Sequence, residues 1–383
     1  MATFSGVSSF ISTDGHEAEF RGTRLTNGRI VACYRLDPTA DGHHSGATGY
    51  IVSVHSDDDG ASWSSPATVV NTAEYDDRNP CIGHIGNRVL CFFRYLHVTE
   101  TSHTESVNLT YSDDGGETWS SPSAVTIQGT PASPNGLEYP FEKIIHLSNG
   151  LLATVAVTSN YDVMLFSRNG TDWTTGPVIS NDTGINEPSI CSHPDGRVVF
   201  VARQNSDYTS PEYYFAKSAD NGKTWTTATR AQGSLSSYWH AAPHFRYDRA
   251  NDDVYLFTSE RRGYWTSLGN PTESEMLVYS ASFDAFYTNG LSALSLVHSF
   301  VRPNPSSYIF YGYPVAMPTA AGAFVVFADA HADVNEDADF YSFTMSGVDF
   351  TDEHLLAVPS TSGIDLSWDD IGGPYTVQRL VVG

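Results

Sequence analysis

Lysine is nearly absent. Of 20 basic residues only Lys143, Lys217 and Lys223 are lysine, against 44 acidic residues, and the net charge is −24. A surface so poor in cations is the wrong one for nucleic acid, whose phosphates demand a basic face. The acidity itself reads as a solubilising surface. With lysine gone, arginine takes over routine surface duty, so an arginine carries meaning only through its position. Cysteine is scarce too. Cys33 and Cys91 lie inside apolar runs, Cys81 and Cys191 follow Pro80 and Pro188, and no CxxC spacing occurs. Buried thiols are the expectation, with a disulfide between repeat units as the other option. No apolar run has the length of a membrane helix, and no signal peptide is visible after Met1. The expectation is an extracellular or virion-associated chain that engages neither membrane nor nucleic acid; on oligomeric state the sequence is silent.

What the chain has in quantity is turn residues and aromatics, with 31 Gly, 21 Tyr and 20 Phe, the mixture of a turn-rich all-β protein. One motif recurs: Ser56-Asp57-Asp58-Asp59-Gly60-Ala61-Ser62-Trp63, then Ser112 to Trp119, a shortened Ser167 to Trp173, and Ser218 to Trp225. Starts at 56, 112, 167 and 218 are spaced by 56, 55 and 51 residues, a period that means an array of like units. Asp and Gly make a tight turn with the Asp side chain bonding backbone N–H groups, and the Trp covers the turn and packs on the neighbouring unit.

A turn signal followed by an apolar run occurs six times, at Arg29–Arg35, Arg88–Tyr95, Leu151–Val157, Arg197–Arg203, Val254–Ser259 and Ala323–Ala330. Their length and Val, Phe, Tyr and Ala content suit buried strands. A second strand follows each, and a short one follows each Trp. With a leading strand, each unit is a four-stranded sheet, and six such sheets predict a six-bladed β-propeller over residues 1–352. Phe4–Ile11 is expected to help close the ring. Residues 353–383 read as a linker and the start of a fibronectin-type β-sandwich, with alternating strands around Asp370–Pro374.

The start of each innermost strand points at the central funnel. Five units place a proline there (Pro80, Pro140, Pro188, Pro243 and Pro314), and the preceding residues are Asn79, Tyr139, Glu187, Ala242 and Tyr313; unit one offers Arg21. A structural ring would be small and apolar, whereas this one holds a cation, an acid and two phenols. A second layer offers Arg35, Arg94, Arg203, Arg261 and Arg262. Arg203 lies 16 residues after Glu187 within one unit, so the hairpin returns it to the same end.

These residues resemble the sialidase (neuraminidase) superfamily. The four motif copies resemble its Asp boxes. Phe20-Arg21 resembles its Phe-Arg-Ile-Pro signature, with Gly22-Thr23 in place of Ile-Pro. Asn186-Glu187 with Arg203 resembles its glutamate and second arginine, and Gly312-Tyr313-Pro314 the place of its tyrosine nucleophile. The resemblance implies a retaining glycoside hydrolase that releases a terminal acidic sugar, most simply sialic acid. Arginines would hold the sugar carboxylate. A neutral tyrosine would replace the carboxylate nucleophile that this group repels, and a glutamate would take its proton. Tyr313 is the expected nucleophile with Tyr311 as rival, Glu187 the base, and Asp37 or Asp41 on the loop after Arg35 the acid. Arg21, Arg35, Arg203, Arg261, Arg262, Asn79, Tyr139 and Tyr311 are the expected substrate contacts. A third arginine is missing at Glu275-Met276, so Arg261 or Arg262 must supply it. No cofactor is expected, with calcium at Asp333–Asp339 the one option. Two other readings are a polysaccharide lyase acting on uronates and a non-catalytic glycan-binding propeller of a viral fibre.

Overall fold

The computed structural model describes residues 2–11, 15–39, 46, 48–97, 103–125, 127–128, 139–158, 161–182, 184–204, 212–236, 240–260, 275–300, 309–331, 338–351, 356–360 and 363–367. The protein is all-β, with four sheets in a propeller-like arrangement. The repeat units form antiparallel runs in chain order. Unit one pairs His16–Arg24, Ile30–Asp37, Tyr50–Ser56 and Ala67–Val70. Unit four pairs Ile185–Ser192, Val198–Gln204, Tyr213–Ser218 and Thr229–Ala231. Single parallel bridges, Lys143 to Ile82 and Ala338 to His16, join units two and three and units six and one into larger sheets.

The runs adhere through their apolar faces. Each junction between consecutive units holds one cluster of buried side chains, and the series closes with Phe20, Tyr34 and Val54 of unit one against Met317, Phe324 and Phe340 of unit six. Unit six borrows its outer strand from the other end of the chain. Thr3–Phe4 pairs with Ser346 and Met345, and Ser8–Ile11 with Ser342 to Phe340, as expected of the N-terminal stretch.

The Asp boxes are built as their sequence demands. In the first, Ser56 Oγ accepts the Gly60 N–H at 2.8 Å, Asp58 Oδ1 accepts the Ser62 N–H at 2.8 Å, and Trp63 Nε1 donates to the Gly60 carbonyl at 3.0 Å. Asn169 takes the Asp role in the shortened third copy. Each box seats on the preceding unit: Gly116 on Val31, Gly170 on Leu90, Gly222 on Met164, and Gly60 on Phe324 of unit six. Trp173 meets Phe92 at 4.9 Å, and Trp119 Nε1 donates to Ser53 Oγ at 2.9 Å. Unit five has no such turn. There a short helix, Phe283–Asn289, capped by Ser282, ends at Gly290, which lies against Phe215 of unit four.

All four cysteines are free and buried, so the disulfide alternative is not realised. No described helix is long and apolar enough to cross a membrane. Gly363–Ser367 is a strand, but its partner is Leu356–Ser360; the turn at 370–374 lies outside the described residues.

Candidate functional site at the centre of the propeller

The innermost strands carry an unusual backbone. Register shifts break them at Ala18/Arg21, Arg78/Cys81, Phe141/Ile145, Asn186/Pro188 and Gly312/Val315. At each break one non-glycine residue takes a left-handed conformation: Glu19 (φ 60°), Asn79 (φ 56°), Glu142 (φ 71°), Glu187 (φ 50°) and Tyr313 (φ 49°). Each costs about 1 kcal/mol or more, and such strain concentrates where a side chain must be aimed. The shared position therefore holds Asn79, Glu187 and Tyr313 as expected. In units one and three it holds Glu19 and Glu142 instead of Arg21 and Tyr139. Proline misplaced it there, because unit one has none and Pro140 precedes the bulge of unit three by two residues.

These residues converge. The Tyr313 hydroxyl donates to Glu187 Oε1 at 2.9 Å, and Arg203 Nε lies 2.9 Å from Glu187 Oε2. The Arg21 guanidinium sits 5.5 Å from the centre of the Tyr313 ring and 5.2 Å from that of Phe141. Tyr313 packs on the buried patch of Tyr139, Phe141 and Val157. The Tyr139 hydroxyl donates to Asn186 Oδ1 at 3.1 Å, and the Arg94 guanidinium covers its ring at 4.2 Å. Arg94 Nε donates to Asn79 Oδ1 at 2.6 Å, and Asn79 gives its backbone N–H and its amide to Glu19 at 2.6 and 2.9 Å. Arg78 reaches Glu19 at 2.7 Å. Five units thus feed one hydrogen-bonded and stacked array. Burial pushes the Tyr139 phenol up to about 12, with Arg94 pulling the other way, so it stays a neutral donor. Burial opposes charge on Arg78, but Glu19 and Asp76 overcome it and hold the guanidinium ionised.

Beneath this array lies a second polar cluster. His244 Nδ1 contacts Glu142 Oε1, and His244 Nε2 accepts the Ala316 N–H at 3.0 Å. Nε2 is therefore unprotonated and the imidazole neutral, with its proton on Nδ1. Burial drives the imidazole down to about 3. Burial pushes the Glu142 carboxyl up, but Lys143 and His244 outweigh it and hold it at about 2. Lys143 is committed to the Phe245 carbonyl and to Ser189 Oγ. No sequence pattern announced this cluster.

Arg35 and Asp37 connect to the array through Asp76, whose Oδ2 lies 3.5 Å from Arg78 Nη1. Both are fully buried. Arg35 Nε donates to Asp76 Oδ1 at 2.7 Å, and its Nη2 lies 3.7 Å from Asp37 Oδ2. Gly49 lies so close that a Cβ there would fall 2.2 Å from Arg35 and 2.3 Å from Asp76. Burial would raise the Asp37 carboxyl, but bonds from Thr39 and Thr48 and the charge of Arg35 lower it, the wrong state for a proton donor. Asp41, Arg261, Arg262 and Asp333 to Asp337 lie outside the described residues. Tyr311 stands in the same strand as Tyr313, opposite Asp329. Among the described residues no group of three or more His, Cys, Asp or Glu is arranged to hold a metal.

The profile of the BNR repeat-like domain family matches residues 28–289. The chain belongs to that family. No curated protein matches its sequence. Among solved structures, this BNR repeat-like chain is similar to a protein of unknown function from Dyadobacter fermentans, at 17% identity over 90% of this chain and 99% of that one, with a TM-score of 0.71. It is similar to the phage phi92 endosialidase, at 14% identity over 99% and 76% of the two chains, with a TM-score of 0.65. It is also similar to a mutant of the NanB sialidase from Streptococcus pneumoniae, at 12% identity over 90% and 70%, with a TM-score of 0.63. At these identities the likeness is one of fold.

Proposed function

We propose that the protein is a retaining glycoside hydrolase that releases a terminal acidic sugar, most simply sialic acid, from glycans. The observation that carries this is the 2.9 Å hydrogen bond from the Tyr313 hydroxyl to Glu187, with Arg203 on the other carboxylate oxygen. A phenol donating to a carboxylate across two units is the pair a tyrosine nucleophile needs. Glu187 accepts the phenolic proton as the oxygen attacks the anomeric carbon. Arg21 and Arg203 face the sugar carboxylate, where charge-assisted hydrogen bonds orient it. Asn79, Arg94 and Tyr139 shape the wall beside it. Asp41 is assigned the leaving-group proton, since Asp37 is held ionised and buried, and Arg261 or Arg262 the third arginine. The names of two similar structures, a sialidase and an endosialidase, support the substrate class.

The closing apolar cluster between units six and one supports a six-bladed ring for residues 1–352, with the tail from 353 a separate segment. The test is a product assay on a panel of acidic glycans, read for released reducing sugar and for unsaturated uronate absorbance. Reducing sialic acid is the expected product. Uronate absorbance would instead mean a lyase, and no product from any glycan would leave a binding propeller.

A further inference from the structure

A cleft on the outer edge of the protein, where unit six meets unit one, plays no part in the array on the axis. Its volume is about 610 Å³, within the range of small-molecule sites. The N-terminal strand, the first Asp box, and strands of units one and six build it. Tyr34, Val54 and Phe324 line it and are almost wholly buried. Phe10 and Trp63, both half-buried, also line it, with ring centres 5.1 Å apart and planes at 68°. The Trp63 indole N–H is spent on the Gly60 carbonyl, so this residue offers the cleft ring surface alone. Ser8 and Ser9 add exposed hydroxyl residues, while the Ser62 hydroxyl already donates to Asp58 Oδ2 at 2.6 Å and can only accept. No Asp, Glu, Lys or Arg lines the cleft, in a chain of net charge −24.

We propose that this cleft binds a neutral sugar of one or two pyranose rings. A pyranose has an apolar C–H face that lies against aromatic rings and an edge of hydroxyls that exchange hydrogen bonds with serine, which both donates and accepts. An anionic sugar would find no cation there. An alkyl chain would strip water from the serine hydroxyls with nothing to replace it. The occupant is therefore uncharged, hydroxyl-rich and flat on one side.

The experiment is calorimetric titration of the full chain with lactose and with cellobiose, alongside ligand-observed saturation-transfer NMR. Two variants at exposed lining positions narrow or charge the cleft without touching its buried floor: Ala61→Trp and Ser9→Glu. Saturable millimolar binding is expected, weakened at least about tenfold in either variant while the melting temperature stays put. Ser9→Glu stands alone if Ala61→Trp fails to fold. Tyr313→Phe should bind the neutral disaccharides as the wild type does. The proposal falls if neither sugar binds saturably, if both folded variants bind undiminished, or if Tyr313→Phe abolishes binding, which would put the sugar on the axis. Because these sugars carry no carboxylate, the outcome is independent of whether the axial site is a sialidase.

Discussion

Replacing Tyr313 by phenylalanine removes one oxygen from the axial array. The aromatic ring remains, so its packing on Tyr139 and Phe141 and the overlying Arg21 guanidinium are kept. What is lost is one O–H donated to the Glu187 carboxylate at 2.9 Å. A hydrogen bond to a charged acceptor contributes about 1.5–3 kcal/mol. Tyr313 is only half-buried and Glu187 keeps Arg203, so water can replace the phenol and the expected loss of stability is about 1 kcal/mol. That is small against the roughly 5–15 kcal/mol of a folded protein. The chemical cost is of another order. Without a nucleophile the turnover of a fluorogenic sialoside should fall at least about a thousandfold, some 4 kcal/mol of barrier. Urea unfolding and initial rates on the same preparations separate the two effects. Trapping with a fluorinated sialosyl donor and peptide mapping should label Tyr313. Wild-type turnover in Tyr313→Phe, a label on a carboxylate, or loss of activity only in Tyr311→Phe would refute the assignment.

Arg21→Ala and Arg203→Ala should each weaken a sialic acid analogue by about 2 kcal/mol, measured by calorimetry; normal binding in both would mean the carboxylate is held elsewhere. His244→Asn should change how stability responds to acid. The native imidazole titrates near 3 against its usual 6.5, so the unfolded chain binds an extra proton between those values and stability falls as pH falls. Above pH 4.5 the depressed Glu142 is ionised in both states. Asp77, which burial raises to about 6, acts oppositely but alike in both proteins. The wild-type slope should therefore exceed that of the variant by about 1.2 kcal/mol per unit averaged over pH 4.5–6.5, since the unfolded imidazole is only half protonated at the upper end, and equal slopes in urea unfolding would show that His244 is protonated in the native state. Trp173→Ala, which empties a fully buried site against Phe92, should cost about 3–5 kcal/mol. Trp119→Phe, which loses the bond to Ser53 Oγ, should cost about 1 kcal/mol; similar denaturation midpoints for the two would contradict this ranking.

The ends of the strands at Tyr50–Ser56, Asp162–Ser167 and Tyr213–Ser218 were legible, because each closes on the Ser that opens an Asp box. The meeting of Glu187, Arg203 and Tyr313 was legible from repeat position. Glu19 and Glu142 were not, since a bulge is a backbone event and only the proline that often accompanies it can be read. The fate of Arg35 was hidden for a different reason. Its partner Asp76 belongs to the next unit, and no local pattern announces a contact across units. The helix at Phe283–Asn289 did carry a signal, the Ser282 cap with Asp284 in its first turn and Gly290 after it, in a place where only strands were sought.

The strand exchange of unit six bears on how the protein is made. Ser8–Ile11 is synthesised more than 300 residues before its partner Ala338–Ser346. Units two to four can assemble as they emerge, each Asp box seating on the unit before it, but the first box must wait for Phe324. Until then an early strand and one apolar face of unit one stand open to wrong partners. Completion is thus a single late event spanning more than 300 residues, the slow, long-range kind of closure. A chain truncated even shortly before Phe340 should fail as a whole, not lose one unit.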